Sequence, residues 1–189
     1  MSQLLNKQIT LLIIAAATPL LAQEDGDLQY RIVKDSPRYS FFCSFKIDVS
    51  PECLLDLSFQ YEHMKALAPE AKDVLLIDKG TNWNKLKYIY EQKPIYRNET
   101  LWKRVIDTAN LRVEFNLLSS ENNHAFMPNI VSSGGYYQIT PKDGFVLVEY
   151  FQQCELTNDY ISNFYLYILK RKATNFVSLF YNYALKKCE

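Results

Sequence analysis

From Val74 to Thr157 the sequence has no segment of helical period; it reads as consecutive strands joined by polar turns, and one long helix then closes the chain. Residues 74–78 are followed by a turn at Lys79-Gly80-Thr81-Asn82, and residues 85–91 place Leu86, Tyr88 and Tyr90 on one face. Residues 100–107 come next, then a turn at Ala109-Asn110, then residues 112–118 with Val113, Phe115 and Leu117 aligned. After a longer loop, residues 135–140 and 144–154 form a hairpin across Pro141-Lys142-Asp143-Gly144, whose Asp-Gly step supplies the positive φ such turns need. A meander of this size must bury one face. Residues 160–187 supply the cover: Ile161, Phe164, Ile168, Phe176, Leu179 and Tyr183 recur at helical spacing, widened by Tyr165, Tyr167, Leu169, Phe180 and Leu185. Such a helix is roughly 40 Å long, enough to cross a whole sheet.

Upstream, residues 39–49 alternate: Tyr39, Phe41, Cys43, Phe45, Ile47 and Val49 face one way, while Ser40, Ser44, Lys46 and Asp48 face the other, Phe42 excepted. Ser50-Pro51-Glu52 then opens a helix, with Ser50 able to cap free amides, Pro51 suited to the first helical position and Glu52 complementing the dipole. Its apolar face, Leu54, Leu57, Ser58, Tyr61 and Met64 or Lys65, ends before Pro69, and residues 69–72 suit a second short helical turn. The fold class that follows is α+β, a curved antiparallel sheet of about seven strands wrapped on a long C-terminal helix, with one or two short helices after the first strand. A strongly curved sheet on one helix encloses space unless large side chains fill it, a shape suited to ligand binding.

The N-terminal residues bear on compartment. Lys7 is followed by an uncharged apolar run from Ile9 to Leu21, then Ala22 and the acidic stretch Glu24-Asp25-Gly26-Asp27. This pattern describes a secretory signal peptide over residues 1–22. Its apolar core is shorter than the ~20 residues a membrane span needs. Residues 23–37 read as a flexible segment, and 38–189 as one domain. Cys43, Cys53, Cys154 and Cys188 form an even set, which in an exported chain implies two disulfides, with three pairings open. Their spacing matches no zinc pattern; neither a metal nor a cofactor is expected. The 21 basic and 21 acidic residues balance, so nucleic acid is not implied as a partner.

The candidate site residues come from strand phase. Tyr88, Tyr90, Phe115, Tyr137 and Tyr150 are inward by alternation, and Trp102 shares a phase with Arg104. If Trp102 points inward, Arg104 does too, and a guanidinium in an apolar cavity needs a partner: Glu114, Glu149 or an acidic ligand head group. The opposite reading puts Arg104 on the solvated face. Phe164 and Ile168 extend the set from the helix. The loop carrying His124, Phe126, Met127, Ile130 and Val131 is apolar for a connection: a gate over a cavity mouth, a transient membrane contact, or ordinary core. His63 reads as a surface or cap residue and His124 as a loop residue; no nucleophile elbow or phosphate loop appears, so no catalytic residue is assigned. Lys170-Arg171-Lys172 interrupts the helix stripe and reads as a solvated face in preference to a membrane-binding one.

The order of elements resembles the START/Bet v1-like superfamily, which includes polyketide cyclase/dehydrase and lipid-transport proteins. The resemblance covers roughly residues 39–185. It is carried by the strand running into Ser50-Pro51-Glu52, by the helix end at His63-Met64-Lys65-Ala66-Leu67, and by Ser133-Gly134-Gly135-Tyr136-Tyr137-Gln138-Ile139 leading to the last hairpin. Residues 98–105 correspond to a stretch where the family often has an Arg-Asp pair; here Arg97 is present but the acid stands at Glu99. The resemblance implies that the strand at 39–49 lies antiparallel beside the last strand, and that the short helix supports the end of the long one. It also implies the pairings Cys43–Cys154 and Cys53–Cys188. The function it implies is an exported, non-catalytic binder or carrier of a lipid or other apolar or amphipathic small molecule. A polyketide cyclase-like enzyme and an interaction module with a filled core are the alternatives.

Overall fold

A computed structural model describes residues 23–25, 28–35, 37–92, 96–123, 129–157 and 163–188. The signal-peptide assignment at 1–22 lies outside the described residues. Among the described residues, nine strands form one antiparallel sheet: β1 (Gln23–Asp25), β2 (Leu28–Asp35), β3 (Arg38–Ile47), β4 (Asp73–Lys79), β5 (Trp83–Gln92), β6 (Tyr96–Asp107), β7 (Arg112–Asn122), β8 (Ile130–Lys142) and β9 (Phe145–Leu156). Three helices accompany them: α1 (Pro51–Phe59), α2 (Tyr61–Leu67) and α3 (Asn163–Lys187). The spatial order is β1-β2-β3-β9-β8-β7-β6-β5-β4. β3 pairs antiparallel with β9, so the two ends of the main domain meet in the middle of the sheet.

The inward phase reads directly off the alternation. Tyr39, Cys43, Phe45 and Ile47 of β3 are buried opposite Cys154, Tyr150, Val148 and Val146 of β9, and Phe41, also buried, stands opposite Gln152. β8 and β9 close in a two-residue loop at Asp143-Gly144, with Gly144 at φ 81°. Gly135 permits a second close approach: a Cβ there would stand 1.9 Å from the Phe151 carbonyl oxygen. α3 lies on the concave face through Val177, Phe180 and Ala184, all buried. Phe180 packs against Phe45 and Tyr137, and Phe176 against Tyr150. The buried line thus runs a little to one side of the expected stripe, leaving Leu185 exposed.

Several expectations change. Leu28–Asp35 is not a flexible segment but a strand, because Tyr30 and Ile32 alternate with polar residues and bury against Cys43 and Phe41. With β1 it raises the strand count from seven to nine. The second short helix is Tyr61–Leu67, and residues 69–72 form a non-helical turn closed by Ala71 N–H donating to the Ala68 carbonyl. β7 and β8 run longer than their hydrophobic cores, so Ile130 and Val131 belong to β8 and not to the loop.

Cys53 and Cys188 are joined by a disulfide that fastens the start of α1 to the end of α3. The pairing Cys43–Cys154 is not formed; both thiols are free and 1% exposed. The register gives the reason. Cys43 stands opposite Tyr150 and Cys154 opposite Tyr39, an offset of four residues, or roughly 13 Å along the strands. No disulfide spans that distance.

Two variants check this packing. Cys53→Ser should lower the unfolding free energy by about 2–4 kcal/mol in urea titration, since the bridge closes a long loop. Gly135→Ala should cost at least about 2 kcal/mol, because its methyl meets backbone and not a movable side chain.

Candidate ligand cavity

Between the sheet, the α2–β4 connection and the first half of α3 lies a cavity of about 630 Å³. Tyr88, Tyr90, Trp102, Arg104, Phe115 and Tyr137 all line it, as do Tyr150 and Phe176. Phe164 and Ile168 fall on α3, but their side chains lie outside the described residues, as do His124, Phe126 and Met127.

Each strand delivers one wall. β5 and β6 pair in register, with Tyr88 opposite Thr100 and Leu86 opposite Trp102. A register shift between Leu101 and Trp102 in the pairing with β7 bends β6 at this point. Trp102 is fixed by its Nε1–H donating to Thr100 Oγ1 at 2.9 Å and by edge contact with Phe115. Phe115, Tyr137, Tyr150 and Phe176 form a continuous ring cluster with centroids 5.0–6.5 Å apart. These rings separate the packed half of the interior from the open half. At the surface end, Glu70 and Lys172 pair at 2.9 Å, both largely exposed, and mark the rim.

Arg104 is the polar centre. It is 4% exposed and lines the cavity with Trp102, the inward one of the two readings that its phase left open. Neither carboxylate named as a partner reaches it: Glu114 is exposed and pairs with Arg112, and Glu149 stands opposite Ser44 on the outward phase. Its described hydrogen bond runs from Nη1 to the Phe59 carbonyl at 3.0 Å. That same carbonyl accepts from Asn84 Nδ2 at 3.0 Å. Phe59 is the last residue of α1, and Gln60 turns the backbone extended at φ −66°, ψ 135°. The break leaves the Phe59 oxygen without a helical partner, at the negative end of the helix dipole.

A second polar chain crosses the cavity wall. Tyr150 O–H donates to Gln152 Oε1 at 2.7 Å, Gln152 Nε2–H donates to Ser133 Oγ at 3.1 Å, and Ser133 Oγ donates to the Gln153 carbonyl at 3.0 Å. Ser133 also lies 2.9 Å from Cys154 Sγ. Burial raises the Cys154 thiol, against smaller opposing effects of the Ser133 and Tyr39 hydrogen bonds, and pushes Cys43 up to about 12. Burial likewise raises Tyr88, Tyr137 and Tyr150, with the Arg104 charge partly opposing the rise at Tyr88 and Tyr137.

Other candidates lie elsewhere. His63 sits at the junction of the three helices, Nδ1 3.0 Å from the Tyr183 hydroxyl and Nε2 3.5 Å from Asp56, outside the cavity lining. Arg97 and Glu99 form an ion pair joined by Lys87. Arg171 and Lys172 are exposed, and Lys170 lies over the Tyr30 ring. Among the described residues, no group of three or more His, Cys, Asp or Glu side chains could hold a metal. Phase reasoning missed the lining from β2, α2 and the rim: Ile32, Met64, Leu67, Glu70 and Gln152. Gln152 shares the inward phase with Tyr150 and was findable; Ile32 was hidden by the assignment of its segment as flexible.

This architecture is the helix-grip fold of START and Bet v1-like proteins. Among solved structures it is similar to a STAR-related lipid transfer protein from Xanthomonas axonopodis, with a TM-score of 0.64 at 10% identity over 86% of this chain and 96% of that one. It is similar to human STARD10, with a TM-score of 0.64 at 14% identity over 88% and 72%. An aromatase/cyclase from Streptomyces gives 0.53 at 9% identity over 64% and 70%. At these identities the likeness is one of fold. No family model and no curated protein matches the sequence.

The raised thiols and phenols fix the sign of one pH effect. Their neutral forms are favoured by folding, so this contribution is complete below the ordinary thiol value of 9.0 and declines as the pH climbs toward 12. Iodoacetamide at about pH 8 should label neither Cys43 nor Cys154 in the native protein, and urea midpoints should fall between about pH 8 and about pH 10.5.

Proposed function

We propose that this chain is a binder or carrier of an apolar or amphipathic small molecule, working in an oxidising compartment outside the cytoplasm, and that it does so without catalysis. The observation that carries the reading is the cavity itself: about 630 Å³ left open in a core otherwise rich in rings. That volume falls in the range of small-molecule sites, as does its lining of aromatic side chains with few polar groups. A solved neighbour of the same fold is a STAR-related lipid transfer protein. Export is supported by the Cys53–Cys188 bridge, since persistent disulfides belong to oxidising compartments.

Transient membrane contact during loading is supported by two exposed apolar side chains. Val131 is 59% and Tyr167 61% exposed, each near a cavity-lining neighbour, Ile130 and Leu169. A cyclase reading, by contrast, would need a group able to move protons beside the substrate, and the described lining offers Arg104, neutral tyrosines and the rim pair Glu70–Lys172.

Uptake of an apolar fluorescent probe such as N-phenylnaphthylamine tests the reading. Binding should saturate at one probe per chain, and Ala173→Phe, which projects a ring from α3 into the cavity, should weaken it by about tenfold or more. Circular dichroism of the variant should match the wild type. A wild-type protein that takes up no probe, or a variant that binds as well as wild type, contradicts the proposal.

A further inference from the structure

Arg104 brings a full positive charge into an apolar cavity, and the described protein does not neutralise it. The Phe59 carbonyl takes one of its five N–H donors. The C-terminal dipole of the nine-residue α1 offers at most about half a negative charge. Glu114 is exposed and bonded to Arg112, and Glu149 points to the other face. At the rim, Glu70 is already matched by Lys172. Arg104 itself lines the cavity.

Two phenols stand near it. Tyr88 comes from β5 and Tyr137 from β8, and both line the same cavity as Arg104. Neither hydroxyl has a described hydrogen-bond partner in the protein, although the Tyr150 hydroxyl, on the same wall, is satisfied by Gln152. Both phenols stay protonated at neutral pH, because burial raises them. They are therefore donors without acceptors, beside a cation without an anion. The rest of the lining, toward the Glu70–Lys172 rim, includes the apolar Leu67, Leu169 and Ala173 together with Asn98 and Asn175.

We propose that Arg104, together with the Tyr88 and Tyr137 hydroxyls, receives the oxyanion head group of an amphipathic ligand, whose apolar tail extends toward the rim. The inference rests on the cavity being a ligand site and names the ligand class: an acid with a single long tail, carboxylate or phosphate monoester, seated head inward. An anion there completes the charge and hydrogen bonds that the protein leaves open, which a neutral or cationic head group cannot do. The two hydroxyls add direction, fixing where the oxygens sit.

The experiment is calorimetric titration of the disulfide-intact, delipidated protein at neutral pH with four probes of equal chain length: dodecanoate, dodecyl phosphate, dodecanol and dodecyltrimethylammonium. At least one anion should bind about tenfold to a hundredfold more tightly than dodecanol, and the cation more weakly than either. The tighter of the two anions identifies the head group. Arg104→Met should abolish the preference, bringing anion and dodecanol affinities to within about threefold of each other. Tyr88→Phe with Tyr137→Phe keeps every ring and should reduce anion affinity severalfold; it serves also if Arg104→Met does not fold. Dodecanol binding as tightly as the anions overturns the proposal and leaves the cavity reading standing. So does a preference for anions that survives Arg104→Met. If no probe binds, both readings fall.

Discussion

A nine-stranded sheet has one long concave face, and among the described residues one long helix is available to cover it. Everything else in the molecule follows from how that shortage of cover is met. Where α3 runs from Phe176 to Ala184, rings from β3, β8 and β9 rise to meet it, and the interior is packed. Where it runs from Leu169 to Ala173 it borders the cavity, with α2 and its following turn also in the lining. The disulfide fastens α3 at its packed end only. The open half is thus bounded by a helix whose disulfide anchor lies at its other end.

Arg104 ties the two halves together. Its bond to the Phe59 carbonyl, shared with Asn84, joins the middle of the sheet to the break between α1 and α2. A straight continuation of α1 would spend that carbonyl on an intrahelical bond and leave the guanidinium without it. The break therefore serves packing and electrostatics at once: it turns α2 toward the cavity and aims a partial negative charge at a buried cation. Among the described residues the compensation is incomplete, and the proposed anionic head group would complete it.

Much of the frame was legible in the sequence because period-2 alternation is strong where one face is buried. Phe41, Cys43, Phe45 and Ile47 announced β3, and Leu86-Tyr88-Tyr90 and Val113-Phe115 announced the far half of the sheet. The same phase argument named Tyr88, Tyr90, Phe115, Tyr137 and Tyr150 as inward, and all five line the cavity, since direction in a strand is fixed once one residue's side is known. Other features depend on contacts between distant segments. Nothing local at Gln60, neither glycine nor proline, signals a helix break; the buried donors of Asn84 and Arg104 do, from 24 and 44 residues away. The Cys43–Cys154 expectation failed by register: alternation gives a residue's face but not its position along a partner strand. β2 was missed because its short alternation, Tyr30 and Ile32, is embedded among charged residues. Its burial against β3 outweighs that composition.

The account's central claim is that the open half of the core holds a molecule. Native mass spectrometry of the protein purified from an oxidising compartment, followed by organic extraction, tests it most directly. The account predicts a reproducible adduct of one small amphipathic molecule per chain, released into the organic phase on denaturation. A protein that is always empty, and that stays empty after incubation with lipid extract, would contradict it.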